Sequence, residues 1–427
     1  MSSLAYAALW IFIVSVPSAD VAIGAAISRL AGVAALGLAL LTIMMSGRLR
    51  RWDRFHVAAF LFVVWTGFGL LFLTMQGFLS DLNLVDNQRK FWTFVQLLVA
   101  VWMVWELAPS RRHQIGLLTS YVLGTYVAAF NTILTYRKEA NSARRFAAGG
   151  ADPNDVAMTL ALALPIAWYL GMTYDKPVLR WVCRAYLPLG LVALGLTGSR
   201  GGMVATVVAL LIVPLSLPKL SHRGRTISIM LLILSGALAV RYVPETLLQR
   251  LAETTSKVEE GSFSGRVAIW KAGVKAFADK PLMGYGTAGF KKAVAPYIIE
   301  GGPRVAHNSF LSVLVEEGAI GFVLFALMFL AVFRAILDLP SMERRFGLVL
   351  LATLGVAMLP LTWEAQKPVW VILALLVGLS RAQVGPIGAF RQPNLQRAVP
   401  IPGQRRSARP MEPLTAPRRS ADRDATA

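Results

Sequence analysis

The chain has 427 residues, 56% of them hydrophobic and 15% charged, with a mean hydropathy of +0.58. Soluble domains carry about 25% charged residues, so composition excludes a water-soluble globular fold and a disordered chain and leaves an integral membrane protein. The net charge of +20 sits in short arginine-rich segments between apolar runs, the pattern of cytoplasmic loops rather than of nucleic-acid binding, and the single cysteine, Cys183, excludes an intrachain disulfide.

A membrane span needs roughly 20 apolar residues. Twelve segments meet or approach this: 4–20, 26–45, 56–75, 91–108, 114–133, 155–173, 181–198, 201–217, 226–243, 309–333, 345–362 and 367–380. The first has no basic leader and is followed by many more, so it reads as a span rather than a cleaved signal. The sixth contains Pro165, and the last is short enough for a shallow or tilted helix. The expected fold is therefore an all-α polytopic membrane protein of about 12 transmembrane helices.

Orientation follows from the connections. GRLRRWDRF, PSRRHQ, DKPVLRW, PKLSHRGR and RAILDLPSMERR, after the second, fourth, sixth, eighth and tenth spans, are short and basic, which places both termini in the cytoplasm. The opposite face then carries NLVDNQRK, TYRKEANSARRFAAGGADPND, GSRGG, the long stretch 244–308 and TWEAQKP. The second of these is basic although outward, and an anionic ligand is a natural reason for that.

Residues 244–308 form the one large loop between spans, lying between the ninth and tenth. Within it, SGRVAIWKAGVKAFADKP carries Val267, Trp270, Val274 and Phe277 at intervals of three and four, which predicts an amphipathic helix from near Ser264 to Pro281. Such a helix either lies on the membrane surface or roofs a cavity. After the last span, residues 381–427 hold seven prolines, nine arginines and three acids, the composition of a disordered basic cytoplasmic tail. The domain division is 1–380 for the membrane domain, with the loop at 244–308, and 381–427 for the tail.

Three polar residues far apart in sequence fall on the outer face: Arg200 in GSRGG, Arg266 at the start of the amphipathic helix, and His307 just before the tenth span. A guanidinium fork matches phosphate oxygens bidentately, and histidine accepts protons near neutral pH. The plainer alternatives are a snorkelling loop arginine and an interfacial histidine. The other three histidines, His56, His113 and His222, lie on the cytoplasmic side. Glu316 and Glu317 interrupt an apolar run, where a carboxylate either faces a cavity or pairs structurally. Glu316 shares a helix side with Ser309 and could order a polar network below His307. Asp152 or Asn154 opens the sixth span, as a ligand contact or as its cap. Arg144 and Arg145 either steer an anion or are solvated. GYGTAG, with Gly284, Gly286 and Gly289, matches a dinucleotide fingerprint but lacks the strand and βαβ context it needs, so it reads as a turn. No metal-ligand cluster is visible.

GRVAIWKAGVKAFADKPLMGYGTAGF followed by AHNSFLSVLVEEGAIG, together with GSRGG and the PND at 153–155, resembles the O-antigen ligase and polymerase superfamily of bacterial envelope enzymes, over roughly 150–380. The resemblance implies an inner-membrane glycosyltransferase with a periplasmic site. Its donor would be a glycan on undecaprenyl pyrophosphate, its acceptor a lipid A-core sugar in a ligase or a second lipid-linked repeat unit in a polymerase. It needs no cofactor, metal or nucleotide. Arg200, Arg266 and His307 fall on the family's essential residues, the arginines on the pyrophosphate and the histidine on the acceptor hydroxyl. Asn308 and Glu316 would set the position of His307, while Asn154, Arg144 and Arg145 would help hold substrate. A lipid-linked glycan transporter is the rival from another class; outward polar groups and the absence of an inverted repeat argue against it.

Overall fold

The computed structural model describes residues 3–18, 22–75, 81–139, 145–147, 150–245, 249, 266–298 and 305–382. It is an all-α assembly. The helices are α1 (Ser3–Ser15), α2 (Ala22–Ser46), α3 (Arg54–Met75), α4 (Asp81–Leu107), α5 (Arg111–Lys138), α6 (Pro153–Thr173), α7 (Pro177–Leu196), α8 (Arg200–Leu210), α9 (Ile212–Ser216), α10 (His222–Tyr242), α11 (Arg266–Asp279), α12 (Phe290–Val294), α13 (Ser309–Leu337), α14 (Ser341–Met358) and α15 (Lys367–Ser380).

A helix lies over each of the twelve apolar segments. Nine helices among the described residues are long and apolar enough to cross a membrane, which makes the chain a multi-pass membrane protein. Ser3–Ser18 and Lys367–Ser380 are apolar but shorter. In α14, Glu343, Arg344 and Arg345 take up the first turns. The apolar remainder is short for a 30 Å hydrocarbon layer at about 1.5 Å per residue. The tail beyond residue 382, expected to be disordered, and Arg144 lie outside the described residues.

Helix α6 is the hub. Every residue from Val156 to Gly171 is buried, packed against α5, α7, α8 and α14. Its run of alanines and leucines lets four neighbours approach closely, whereas α2 and α10 keep one face outward, exposing Leu30, Val33, Met44, Ile233 and Val240. That surface suits lipid, since helices satisfy their own backbone and present only apolar side chains. At one end of the bundle the helix termini are tied by arginines. Arg111 bonds Glu343 and Tyr169, Arg381 bonds Asp53 and Asp338, and the Arg50 guanidinium donates to the Trp105 carbonyl.

Helix α13 is broken at Gly318, whose φ of 66° and ψ of −172° interrupt the helix. The backbone groups this frees are met by residues 281–289. Ala319 N donates to Pro281 O at 2.8 Å, Tyr285 N to Val315 O at 3.0 Å and Gly286 N to Glu316 O at 2.7 Å. The fingerprint-like glycines are thus a docking turn. Gly284 and Gly286 have φ of 68° and 81°, and a Cβ on Gly284 would lie 2.4 Å from the Glu316 carbonyl oxygen. Non-helical backbone within a span is tolerated where protein supplies its hydrogen bonds.

A helix, α11, covers Arg266–Asp279, and its buried residues differ from the expected stripe. Ile269, Ala272, Gly273 and Ala276 are buried, while Val274 is 59% exposed. Gly273 sits against Leu311, where a Cβ would come within 3.0 Å. The small residues permit close approach to α13, and a reading weighted towards bulky side chains selects the neighbouring stripe. Ser264, the expected start, is outside the described residues.

The Gly318→Ala substitution should therefore destabilise the protein by about 2 kcal/mol or more, through left-handed strain and collision with Leu282 O. Gly355→Ala, with open space around it, should be neutral or stabilising by ~0.5 kcal/mol. Thermal unfolding in detergent measures both.

Candidate active site

The starts of α6, α8, α13 and α15 and the end of α14 meet at one end of the bundle, opposite the arginine-tied end. Asp152 caps α6, its carboxylate accepting from Asn154 N at 2.7 Å, and Pro153 fits the first helical position. Asn154 is left to organise its surroundings. Its Oδ1 accepts from Arg145 Nη2 at 2.6 Å and Ser199 Oγ at 3.0 Å. Arg145 also donates through Nε to the Thr197 carbonyl at 2.8 Å. Ser199 caps α8 through the Gly202 amide. The left-handed Gly198 turns the chain so that Arg200 becomes the first residue of α8.

Arg266, at the start of α11, lies within electrostatic reach of Arg200. Burial pushes its guanidinium below the ordinary arginine value; the charge of Arg200 pushes the same way and that of Asp152 opposes it. Among the described residues neither Arg200 nor Arg266 forms an ion pair. Two like charges held together, one of them half-buried, make a place where an anion is favoured.

His307 stands at φ 46°, in the left-handed region that a bulky residue rarely adopts. Its amide donates to Thr362 Oγ1 at 3.1 Å. Asn308 caps α13 by accepting from Leu311 N at 3.0 Å. Ser309 Oγ donates to Leu361 O and accepts from Trp363 N, both at 2.8 Å. The short connection between α14 and α15 thus grips the backbone that presents His307. The same connection touches the other elements. Trp363 Nε1 donates to Asp155 Oδ1 at 2.8 Å, and Pro360 packs on Gly201, where a Cβ would lie 2.8 Å from its ring. It links the segments carrying His307, Asn154 and Arg200.

Glu316 lies in α13, two residues before Gly318. Its carboxylate accepts from Lys90 Nζ at 2.6 Å and from the amides of Ala288 at 3.0 Å and Phe290 at 3.4 Å. Lys90 also donates to Glu364 Oε1 at 2.6 Å, an oxygen shared with Ser312 Oγ at 2.9 Å. Glu317 Oε1 accepts from Thr287 at 2.8 Å. Removing one partner of a buried ion pair leaves an uncompensated charge and costs about 3–5 kcal/mol, so these residues specify how α4, α13 and the connection to α15 meet.

Lys90, Asp155, Ser199, Thr362, Trp363 and Glu364 are absent from the sequence-derived set. A signal existed for Lys90: a glutamate inside a span calls for a cation, and NLVDNQRK is one of the outer segments that offer one. Nothing in sequence points to Thr362. No group of three or more His, Cys, Asp or Glu with metal-holding geometry occurs among the described residues.

Asn154→Ala should strip Arg145 and Ser199 of a shared acceptor and destabilise this end by about 1.5–3 kcal/mol, the range for hydrogen bonds to charged groups. Chemical or thermal denaturation of purified protein measures the loss.

No curated protein matches the chain. Residues 185–326, which run from α7 through α8, α10, α11 and the kink of α13, match the family model described as O-antigen ligase. This segment carries Arg200, Arg266, His307 and Glu316, and over it the chain is similar to the O-antigen ligase family.

Proposed function

We propose that the protein is an O-antigen ligase-like glycosyltransferase of the bacterial inner membrane. It moves a glycan from undecaprenyl pyrophosphate to a hydroxyl of a lipid A-core sugar at the periplasmic face. The observation that carries this reading is the approach of Arg200 and Arg266 without an ion-pair partner among the described residues, at the end of the bundle where His307 is presented. About twelve spans with both termini inside, the orientation the basic short loops favour, would put this end outside. The functional unit is 1–380, with 381–427 as a cytoplasmic extension.

In this reading the prenyl tail of the donor stays in lipid and its pyrophosphate lies between the two guanidinium groups. They neutralise the charge that develops as the bond between anomeric carbon and phosphate oxygen breaks. His307 takes the proton of the acceptor hydroxyl as its oxygen attacks the anomeric carbon from the opposite side. Undecaprenyl pyrophosphate leaves, and the centre is inverted. Two fixed positive charges supply the electrostatics that a divalent cation supplies elsewhere, so neither metal nor nucleotide is required. Asn154 and Arg145 shape the anion-binding wall. Asn308 and Glu316 serve indirectly, one by capping α13 and the other by holding the turn that follows α11.

Reconstitution with a defined undecaprenyl-pyrophosphate oligosaccharide and both acceptors tests the reading. Transfer onto lipid A-core is expected. A lengthened lipid-linked chain instead would make the protein a polymerase of repeat units, and flux without a new glycosidic bond would make it a transporter.

Two variants test the residues. His307→Gly should relieve about 1 kcal/mol of left-handed strain, leaving the fold at least as stable, yet abolish transfer; wild-type turnover in that variant would remove His307 from the chemistry. Arg266→Ala should weaken donor binding by roughly 10- to 100-fold, as expected for loss of a charge-assisted hydrogen bond of about 1.5–3 kcal/mol. Unchanged donor affinity in equilibrium binding would reject the clamp.

A further inference from the structure

We infer that Lys90 is a positioning residue that couples the two halves of the candidate site, a role that rests on the reading above for its catalytic consequence. Lys90 lies in α4, outside the family-matched segment 185–326, and its ammonium is held between two carboxylates at 2.6 Å each. The two carboxylates serve different elements.

Through Glu316 the ammonium reaches the turn that follows α11. Glu316 accepts from the Ala288 and Phe290 amides, and Ala288 itself stands in the left-handed region at φ 63°. The turn is joined to α11, which begins with Arg266. Through Glu364 the ammonium reaches the connection between α14 and α15. Two residues before Glu364, Thr362 accepts the His307 amide; one residue before, Trp363 bonds Asp155 beside Asn154. Glu364 is held in turn by Ser312 of α13, while its own backbone carbonyl accepts from Trp370 Nε1 at 2.8 Å.

The contacts are placed where small displacements matter. His307 stands in a left-handed backbone whose amide is held by Thr362, so where Thr362 sits bears on the direction of its ring. Arg266 is carried by a helix whose following turn rests on Glu316. One ammonium therefore fixes both the imidazole-bearing segment and one guanidinium-bearing segment against the same span. The two carboxylates also repel each other unless a cation stands between them, so the coupling is lost rather than rearranged when the amine is removed.

A purely structural ion pair and a positioning residue differ in one respect. Neutralising the whole cluster removes the charge imbalance but also removes the coupling. The triple variant Lys90→Met, Glu316→Gln, Glu364→Gln is expected to purify and melt as the wild type does. In it, carbethoxylation of His307 by diethyl pyrocarbonate, followed by mass spectrometry, should speed up several-fold, while the exposed His222 at the opposite end is unchanged. Transfer by that variant should lose about 100-fold in kcat, the scale of an ångström-level misplacement, with donor KM much less affected. Thr362→Val is a second and near-isosteric variant that cuts only the last bond to His307. It should reproduce the faster labelling and the loss of kcat.

Wild-type labelling and wild-type kcat in a folded triple variant, or in Thr362→Val, would overturn the inference and leave Lys90 as charge balance alone. A wild-type protein that transfers no glycan would defeat the ligase reading by itself. The labelling comparison, which needs no substrate, would then still decide whether Lys90 positions His307.

Discussion

A carboxylate inside a membrane-spanning helix has to be met by charge and hydrogen bonds from protein, because lipid supplies neither. Glu316 is 4% exposed and is met by one ammonium and two backbone amides. Most of the functional end of the molecule follows from that arrangement. The amides belong to a turn that docks where α13 is broken at Gly318, and the ammonium also binds Glu364. The break, the turn and the ion pair are mutually dependent. The kink exposes backbone that only the glycine-bearing turn can approach, the turn offers amides to Glu316, and Glu316 needs Lys90.

Beside this support lies the candidate site. Its electrostatics are set by a simple fact of placement: Arg200 opens one helix and Arg266 another, and the fold brings their charges together with Asp152 the moderating acid. Asn154 and Arg145 brace the loop behind Arg200. The connection between α14 and α15 supplies Thr362 to His307 and Trp363 to Asp155, so the eight-residue linker 359–366 near the C-terminal end of the membrane domain orders segments drawn from three places in the chain. In the proposed reading, a diphosphate lies at the two guanidinium groups and a hydroxyl near the imidazole.

Much of this was legible in the sequence, for reasons that differ by residue. Apolar runs of span length locate the helices because hydropathy is the dominant constraint in lipid, although the three charges opening α14 shorten its apolar part. Arg200, Arg266 and His307 stood out because polar groups at the ends of apolar runs are conspicuous. Lys90 and Glu364 escaped notice because each sits among other polar residues near a span end, so only the pairing reveals them. Val274 was expected inside and is exposed, since Gly273 and Ala276 allow a packing distance that bulk-weighted periodicity does not anticipate. GYGTAG was legible as a turn but not as the partner of Gly318, a contact between residues more than twenty apart that no local pattern encodes.

The central claim is that Arg200 and His307 share one compartment on the non-cytoplasmic side of the membrane. Single-cysteine proteins carrying Arg200→Cys or His307→Cys, in a Cys183→Ala background, can be treated in oriented vesicles with a membrane-impermeant maleimide from each face. The account predicts that both positions react only from the non-cytoplasmic face. Labelling of the two from opposite faces, or of both from the cytoplasmic face, would contradict it.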